Sequence, residues 1–220
     1  MRPLTEKTPK PLLKVGGDTL LDHIVGRLPD QIDELIIVIG YLGDQIKNYC
    51  GQNFHGRPVS YVWQKEKLGT FQALELCASL ISKKEKFLLL YADDLHGAAG
   101  ISECLNYPFA VLASEAAEPK KFGVIKLSAD GCVEEIVEKP SDPPSNLVAA
   151  GVYMLDPTVL DYKVEKHPNG EYYLTDALAK MINNGVKFKV VRSDFWLPIG
   201  YPQDLEKAEQ ILLTQGAIIS

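Results

Sequence analysis

Two acids close an apolar run in this chain: "KFLLLYADD" (86–94) ends in Asp93 and Asp94. Paired carboxylates at the end of a buried strand suit a hard divalent cation such as Mg²⁺, which takes carboxylate oxygens beside phosphate oxygens. Taken alone, they equally suit a solvated turn or a helix cap. The stretch "QKEKLGTFQAL" (64–74) puts Gln64 at a strand end and Gly69-Thr70 at a helix start. Exposed amides there suit an anion or the polar edge of a base, although the bland alternative is a plain strand–turn–helix connection. Lys10 stands between Pro9 and Pro11, a cation on a stiffened loop, and Lys139 precedes Pro140 at another strand end. A lone lysine is usually solvated surface charge. No GxxxxGK[ST] motif occurs, which sets aside a P-loop kinase or ATPase. Cys50, Cys77, Cys104 and Cys132 include no CxxC pair, so four reduced, mostly buried thiols are expected rather than a zinc site.

The elements that must position these residues follow from the hydrophobic pattern. Asp18 is placed to cap a helix with Leu20, Leu21, Ile24, Val25 and Leu28 on one stripe. "ELIIVIG" (34–40) is a continuous β-branched run, as in a parallel strand buried on both faces. A short helix over 44–50 and a strand over 59–64 come next. A helix over 70–81 would turn Ala73, Leu76, Cys77 and Leu80 inward, and "KFLLLYADD" is a third buried strand. Strand alternating with helix is the signature of a doubly wound α/β layer. The second half changes character. A strand over 109–116 precedes a hairpin over 122–140, turning at Asp130-Gly131. A strand over 146–157 follows, then a helix over 172–185 starting near Thr175 or Asp176 and stopped by Gly185. A strand over 187–193 and a helix over 202–216 close the chain, Pro202 lying in the helix's first turn. The fold class is α/β: a doubly wound, mainly parallel, Rossmann-like sheet with a mixed, partly antiparallel extension. One domain over 1–220 is expected, with halves at 1–108 and 109–220.

Composition narrows the function classes. The 220 residues carry a formal net charge of −6, which argues against a nucleic-acid surface. An acidic protein still binds phosphates through a few lysines and a metal. No apolar run reaches about 18 residues, and the opening residues carry no signal-peptide h-region. A cytoplasmic location without membrane contact is expected.

Taken in order, the motifs add up. The chain resembles the sugar-1-phosphate nucleotidyltransferases, enzymes of the glucose-1-phosphate thymidylyl- or uridylyltransferase kind. The matching stretches are "MRPLTEKTPKPLLKV", "LLDHI", "QKEKLGTFQAL", "YADDL", "FGVIKL", "VEEIVEKP", "NLVAAGVYML", "GEYYLTD" and "WLPIGYPQDLEKAE". They run in family order over essentially the whole chain. The resemblance implies that Lys10 contacts the triphosphate, that Gln64, Gly69 and Thr70 read and cradle the base, and that Asp93 ligates Mg²⁺. It implies that Gly123, Glu138 and Lys139 hold the sugar phosphate. The implied partners are a nucleoside triphosphate, UTP or dTTP favoured, and a sugar-1-phosphate; a homo-oligomer is left open.

The chain departs from the family pattern in places. The family carries a first strand and a G-x-G-T-R loop before the stretch that opens here. Their lack implies an open strand edge beside "ELIIVIG" or "KFLLLYAD". Ala92 replaces the usual Gly, a minor change. Ala149 stands where many members have Asn, and Pro198 where many have a second metal-binding Asp. Asp94, waters or Asp194 are the alternatives for completing the coordination. The competing reading is a non-catalytic relative that binds nucleotide sugar, or a truncated inactive form.

Overall fold

The structure, a computed structural model, describes Met1 and residues 3–214. Arg2 of the opening loop and the last two residues of the helix expected over 202–216 lie outside the described residues. In chain order the elements begin with β1 (Lys14–Val15), β2 (Asp18–Thr19), α1 (Leu20–Val25), β3 (Leu35–Ile39), α2 (Gly43–Cys50), β4 (Asn53–Phe54) and β5 (Arg57–Trp63). Next come α3 (Thr70–Leu76), β6 (Phe87–Leu90), β7 (Asp94–His96), α4 (Ala98–Cys104), β8 (Ala110–Glu115), β9 (Gly123–Leu127) and β10 (Val133–Glu138). The chain ends with β11 (Leu147–Leu155), α5 (Leu174–Asn183), β12 (Lys189–Arg192), β13 (Trp196–Pro198) and α6 (Pro202–Thr214). These form two compact units that interleave along the sequence. The first comprises Met1–Lys65, Tyr91–Ser102 and the chain from Ser193; the second comprises Glu66–Leu90 and Glu103–Arg192. The halves expected on either side of residue 108 are a different partition of the chain.

In the first unit, β3 pairs in parallel with β5, Leu35 opposite Val59 and Ile39 opposite Trp63, and β4 adds antiparallel. A second ladder joins β13 to β7 antiparallel and sets Pro198 opposite Asp94. Behind it Leu13, Val15, Leu20, Leu95, Leu197, Ile199 and Ala208 form one buried cluster. The α1 stripe is buried as its spacing dictates, but the cap is Thr19 and not Asp18. Thr19 accepts from the Asp22 amide, and Asp22 accepts in return from the Thr19 amide, the reciprocal capping box. Asp18 lies one residue too early for that geometry.

The second unit is built on one six-stranded sheet in the order β10-β9-β11-β8-β12, with β6 also on β11. Its axis is β11, nine residues that are all buried. Both neighbours and β6 are antiparallel to β11, while β12 runs parallel to β8. The ladder between β11 and β8 skips from Ala149 to Tyr153, and Gly151 there has φ +75°. That is a bulge, at a backbone conformation glycine adopts without strain. The α/β class expected from the sequence stands, but the sheet is not mainly parallel: among the described residues only β3–β5 and β8–β12 pair in parallel, because β11 runs against each of its neighbours.

Two further expectations need correction. β3 and β6 are only half-buried along most of their length, not covered on both faces. Among the described residues β3 pairs with β5 alone and β6 with β11 alone. A strand with one neighbour leaves its flank open to water. The run 86–94 also breaks at Leu90, so Asp93 sits on a turn and Asp94 opens β7. The second correction concerns α3, which stops at Leu76. From Cys77 on, the chain closes i to i+3 bonds, Ala78 to Glu75 and Leu80 to Cys77. The inward face is Phe71, Leu74 and Cys77, and Leu76 and Leu80 are exposed. Cys50, Cys77 and Cys104 are free and buried, and Cys132 is half-buried beside the β9–β10 turn. Burial pushes the first three thiols up, Cys50 and Cys77 to about 11 and Cys104 to about 12. No helix among the described residues is long and apolar enough to cross a membrane.

Asp22 provides a test of this packing. Burial alone would raise its carboxyl, but hydrogen bonds from Thr19, Tyr49 and His55 outweigh it and hold the group well below the usual carboxylate range. A depressed folded pKa contributes stability above the unfolded value, near 3.9, and that contribution is lost as pH falls through the folded value. In Asp22→Asn we expect a loss of about 1–2 kcal/mol at pH 7. We also expect a shallower fall of melting temperature below pH ~4. Superimposable acid limbs in wild type and variant would show that other carboxylates govern acid unfolding.

Candidate functional site

In the first unit, Lys10 opens a 3-10 turn (Lys10–Leu12) that Pro9 enters extended and Pro11 stiffens. Its ammonium lies 3.0 Å from Asp93 Oδ2. The Asp93 carbonyl accepts from the Ile199 amide, which ties the acid to the segment after β13. Asp93 remains about half exposed, whereas Asp94 turns inward and accepts from Trp196 Nε1 at 2.9 Å. Burial first, and the neighbouring Asp93 charge second, push the Asp94 carboxyl up to about 7, against the pull of Trp196 and Lys10. Pro198 stands across the ladder from Asp94. Asp194 is committed elsewhere: Oδ1 accepts from the Gly100 amide in the first turn of α4. Its carboxylate also fills the space a side chain on Gly97 would need. Gln64 follows β5, and its amide extends the parallel ladder by donating to the Ile39 carbonyl at 2.8 Å. It therefore stands at the carboxyl ends of β3 and β5, the place where open α/β sheets bind ligands. Among the described residues no group of three or more His, Cys, Asp or Glu is gathered as a metal cage.

In the second unit, the loop before α3 is clasped to the segment before α5. The Tyr172 amide donates to the Leu68 carbonyl at 2.8 Å, and the Phe71 amide donates to the Tyr172 carbonyl at 3.0 Å. Gly69 between them has φ +92°, and a Cβ on it would come within 2.7 Å of the Tyr172 nitrogen and closer still to its carbonyl oxygen. Only glycine permits that approach. The Thr70 hydroxyl accepts from the Leu174 amide at 2.9 Å, so the cap of α5 comes from outside the helix. Thr175, near the start of that helix as expected, donates to Glu138 Oε2 at 2.8 Å.

That bond orients the sugar-phosphate residues implied by the resemblance. Glu138 ends β10 directly opposite Gly123, the first residue of β9. Lys139 follows with φ +44°, a left-handed conformation uncommon for a side-chain-bearing residue. Its ammonium reaches Glu138 Oε1 at 3.3 Å and lies 4.7 Å from the centre of the Tyr173 ring. Burial would lower the Lys139 pKa, but Glu138 and Tyr173 outweigh it and raise it. A methyl on Gly123 would meet Thr175 Cγ2 at 2.8 Å and Glu138 Oε2 at 3.4 Å, with Ala149 Cβ 3.9 Å away. The missing side chain at 123 therefore lets Thr175 pack close enough to hold Glu138. Beside it lies a cavity of about 290 Å³ lined by Glu138, Lys139, His167, Pro168, Asn169 and Tyr173.

The structure thus brings Lys10 to Asp93 in one unit and Gly123, Glu138 and Lys139 together in the other. Gly69 and Thr70 belong to the clasp. Sequence reasoning missed His167, Asn169 and the Tyr173 ring. Tyr173 lies in "GEYYLTD", which carried the resemblance without naming a role, whereas His167 and Asn169 stand just before that stretch and gave no signal. A larger cavity in the first unit, about 520 Å³ and lined by Asp22, His23, Arg27 and His55 among others, holds none of the expected residues.

The family described as "Nucleotidyl transferase" matches residues 1–215. The chain is similar to the bifunctional protein GlmU of Methanococcus maripaludis strain C7, 33% identical over 217 residues, covering 97% of this chain and 51% of that protein. It is also similar to the UTP–glucose-1-phosphate uridylyltransferase AglF of Haloferax volcanii, 32% identical over 223 residues, covering 96% of this chain and 91% of that protein. The chain spans about half the length of the GlmU relatives it matches. Among solved structures, a Bacillus anthracis protein assigned to glucose-1-phosphate thymidylyltransferase superimposes with TM-score 0.84 at 25% identity, over 96% of this chain and 89% of that one. A UDP-glucose pyrophosphorylase in complex with UDP-glucose gives TM-score 0.81 at 24% identity, over 98% and 94%, which speaks for the fold.

Asp94 yields the prediction of this site. An acid whose pKa rises on folding binds more protons folded than unfolded between pH ~4 and ~7, so stability falls as pH rises through that window. Asp94→Asn retains an acceptor for Trp196 and removes the titration. We expect the wild type to lose at least ~1 kcal/mol relative to the variant from pH 4 to 7, roughly 2–4 °C in melting temperature. Parallel profiles would show that Asp94 is ionised throughout.

Proposed function

The chain belongs to the nucleotidyl transferase family, and from that premise we propose that it joins a nucleoside triphosphate to a sugar-1-phosphate. The observation that carries this reading is the Glu138–Lys139 cavity. It offers a carboxylate oriented by Thr175 and a cation held over an aromatic ring. A carboxylate accepts from sugar hydroxyls, and an ammonium neutralises an adjoining phosphate.

The chemistry follows from the substrates. A sugar-1-phosphate oxygen is anionic near neutral pH and needs no general base. It attacks the α-phosphorus in line; the bond to the bridging oxygen breaks and pyrophosphate departs with that oxygen. Positioning and charge neutralisation then supply the catalysis. Lys10 serves the triphosphate. Gln64, with both an amide donor and a carbonyl acceptor, suits the edge of uracil or thymine, which favours UTP or dTTP. Asp93 fits as the Mg²⁺ ligand: it is half exposed, and its oxygen already favours a cation, the Lys10 ammonium 3.0 Å away. Mg²⁺ commonly takes one or two carboxylates and completes its shell with waters and phosphate oxygens. When bound there it would neutralise charge developing on the phosphates. The hydrogen bond from Gly100 to Asp194 speaks for Asp94 or waters, ahead of Asp194, as the groups that complete the shell. A cytoplasmic enzyme of nucleotide-sugar synthesis is the setting this reading implies.

The second reading, a protein that binds nucleotide sugar without turnover, is favoured by one observation: Pro198 offers no ligand opposite Asp94. A pyrophosphate-release screen over nucleoside triphosphates and hexose-1-phosphates, with Mg²⁺ or with EDTA, separates the two. We expect turnover with UTP or dTTP, abolished by EDTA and lowered about 100-fold or more in Asp93→Asn. Undiminished turnover in Asp93→Asn would remove that residue from the metal site. Binding of UDP-glucose with no turnover on any pair would establish the second reading.

A further inference from the structure

The wall of the Glu138–Lys139 cavity is a closed turn. Over residues 167–171 the His167 amide donates to the Glu171 carbonyl at 2.9 Å, and the Gly170 amide donates to the His167 carbonyl at 2.8 Å. Asn169 Nδ2 donates to Tyr173 Oη at 2.5 Å and to Glu171 Oε2 at 3.1 Å. His167 fastens this turn in two directions. Its Nε2 lies 2.6 Å from Asp176 Oδ2 on the first turn of α5, and its ring packs on Tyr173 at 4.8 Å and 72°. The Tyr173 ring in turn carries the Lys139 ammonium.

We propose that His167 is a positioning residue for the sugar phosphate, acting through Tyr173 on Lys139. This inference rests on the reading of Lys139 as the phosphate-holding cation. The physical need is plain. Lysine is a point charge on a flexible four-carbon stem, and its direction here comes from Glu138 and the Tyr173 face. Asn169 and Glu171 hold the Tyr173 hydroxyl at one end of the ring; a perpendicular neighbour on the ring's side fixes the tilt of the face that it offers to Lys139. Histidine meets both demands at once, an aromatic contact for Tyr173 and an N–H for Asp176. Phenylalanine would keep only the contact, glutamine only the hydrogen bond.

Two measurements test the proposal on the intact chain. The first is steady-state kinetics of His167→Ala, His167→Phe and His167→Gln with glucose-1-phosphate and UTP. For the alanine variant we expect KM for the sugar phosphate to rise about tenfold, with KM for the triphosphate and kcat moving less than about twofold, and the other two variants lying between. The second reads Lys139 directly: trace acetylation with acetic anhydride, normalised to the other lysines. Lys139 should react slowly in the wild type, because Glu138 and Tyr173 favour its protonated form. In His167→Ala it should react about threefold faster or more, as removal of that favour raises the free-amine fraction. Asp176→Asn, which leaves the ring contact, should shift both readouts in the same direction by less, and it serves if the alanine variant does not fold. Unchanged Lys139 reactivity in a folded His167→Ala overturns the proposal whatever the kinetics. Both KM values rising in parallel does so too. Freed Lys139 in a protein whose wild type turns over no sugar phosphate would uphold the positioning role and sink the transferase reading instead.

Discussion

The second unit depends on a backbone clasp. Tyr172 exchanges two hydrogen bonds with the chain on either side of Gly69, and Thr70 caps α5 from outside. These contacts fix where α3 starts and where α5 starts, and everything over the Glu138–Lys139 cavity hangs from the second of those points. Leu174 is set by Thr70, Thr175 follows on the helix, and its hydroxyl holds Glu138. Tyr173 lies between the two clasped residues and offers its ring to Lys139. A glycine in the left-handed region is the condition for all of it, since a side chain there would push Tyr172 away.

The first unit solves a different problem, that of two adjacent acids. Both ionised in a half-buried place would repel each other at a cost. The fold separates their roles. Asp94 turns inward to Trp196 and is pushed towards its neutral form. Asp93 stays at the surface and meets Lys10. The resting arrangement is therefore close to electrically balanced, although an exposed ion pair of this kind contributes only about 0–1 kcal/mol to stability. Its weakness is useful: ligands of opposite sign can separate the pair without a large penalty.

Local rules made much of this legible. The hairpin turn at Asp130-Gly131 and the strand over 146–157 could be read from turn chemistry and an apolar run, although a bulge between Val133 and Glu135 sets the register that places Glu138 opposite Gly123. Rules that look only at spacing failed where neighbours decide. Thr19 and not Asp18 caps α1, because the cap must reach the N3 amide and Asp22 must reach back. Leu76 and Leu80 have the period of an inward stripe but fall at and beyond the end of α3, where the chain tightens and turns them outward. β3 reads as a doubly covered strand because its side chains are apolar, while its burial depends on a second neighbour that the described residues do not supply. His167 was invisible for a similar reason. Its partners lie six and nine residues on, across a turn, and "HPNGE" reads only as a polar loop. Tyr173 gains its meaning from Lys139, more than thirty residues earlier.

The cysteines carry a practical consequence. Three of the four thiols are buried and hard to ionise, so at neutral pH they are poor nucleophiles. Cys132 alone is half-accessible, at the turn of the β9–β10 hairpin. Maleimide chemistry on the folded protein should therefore deliver one fluorophore to one place, with no cysteine removed beforehand. That place is the far end of the hairpin whose other end carries Gly123 and Glu138, so the dye would report on the second unit from a distance at which it leaves the cavity undisturbed.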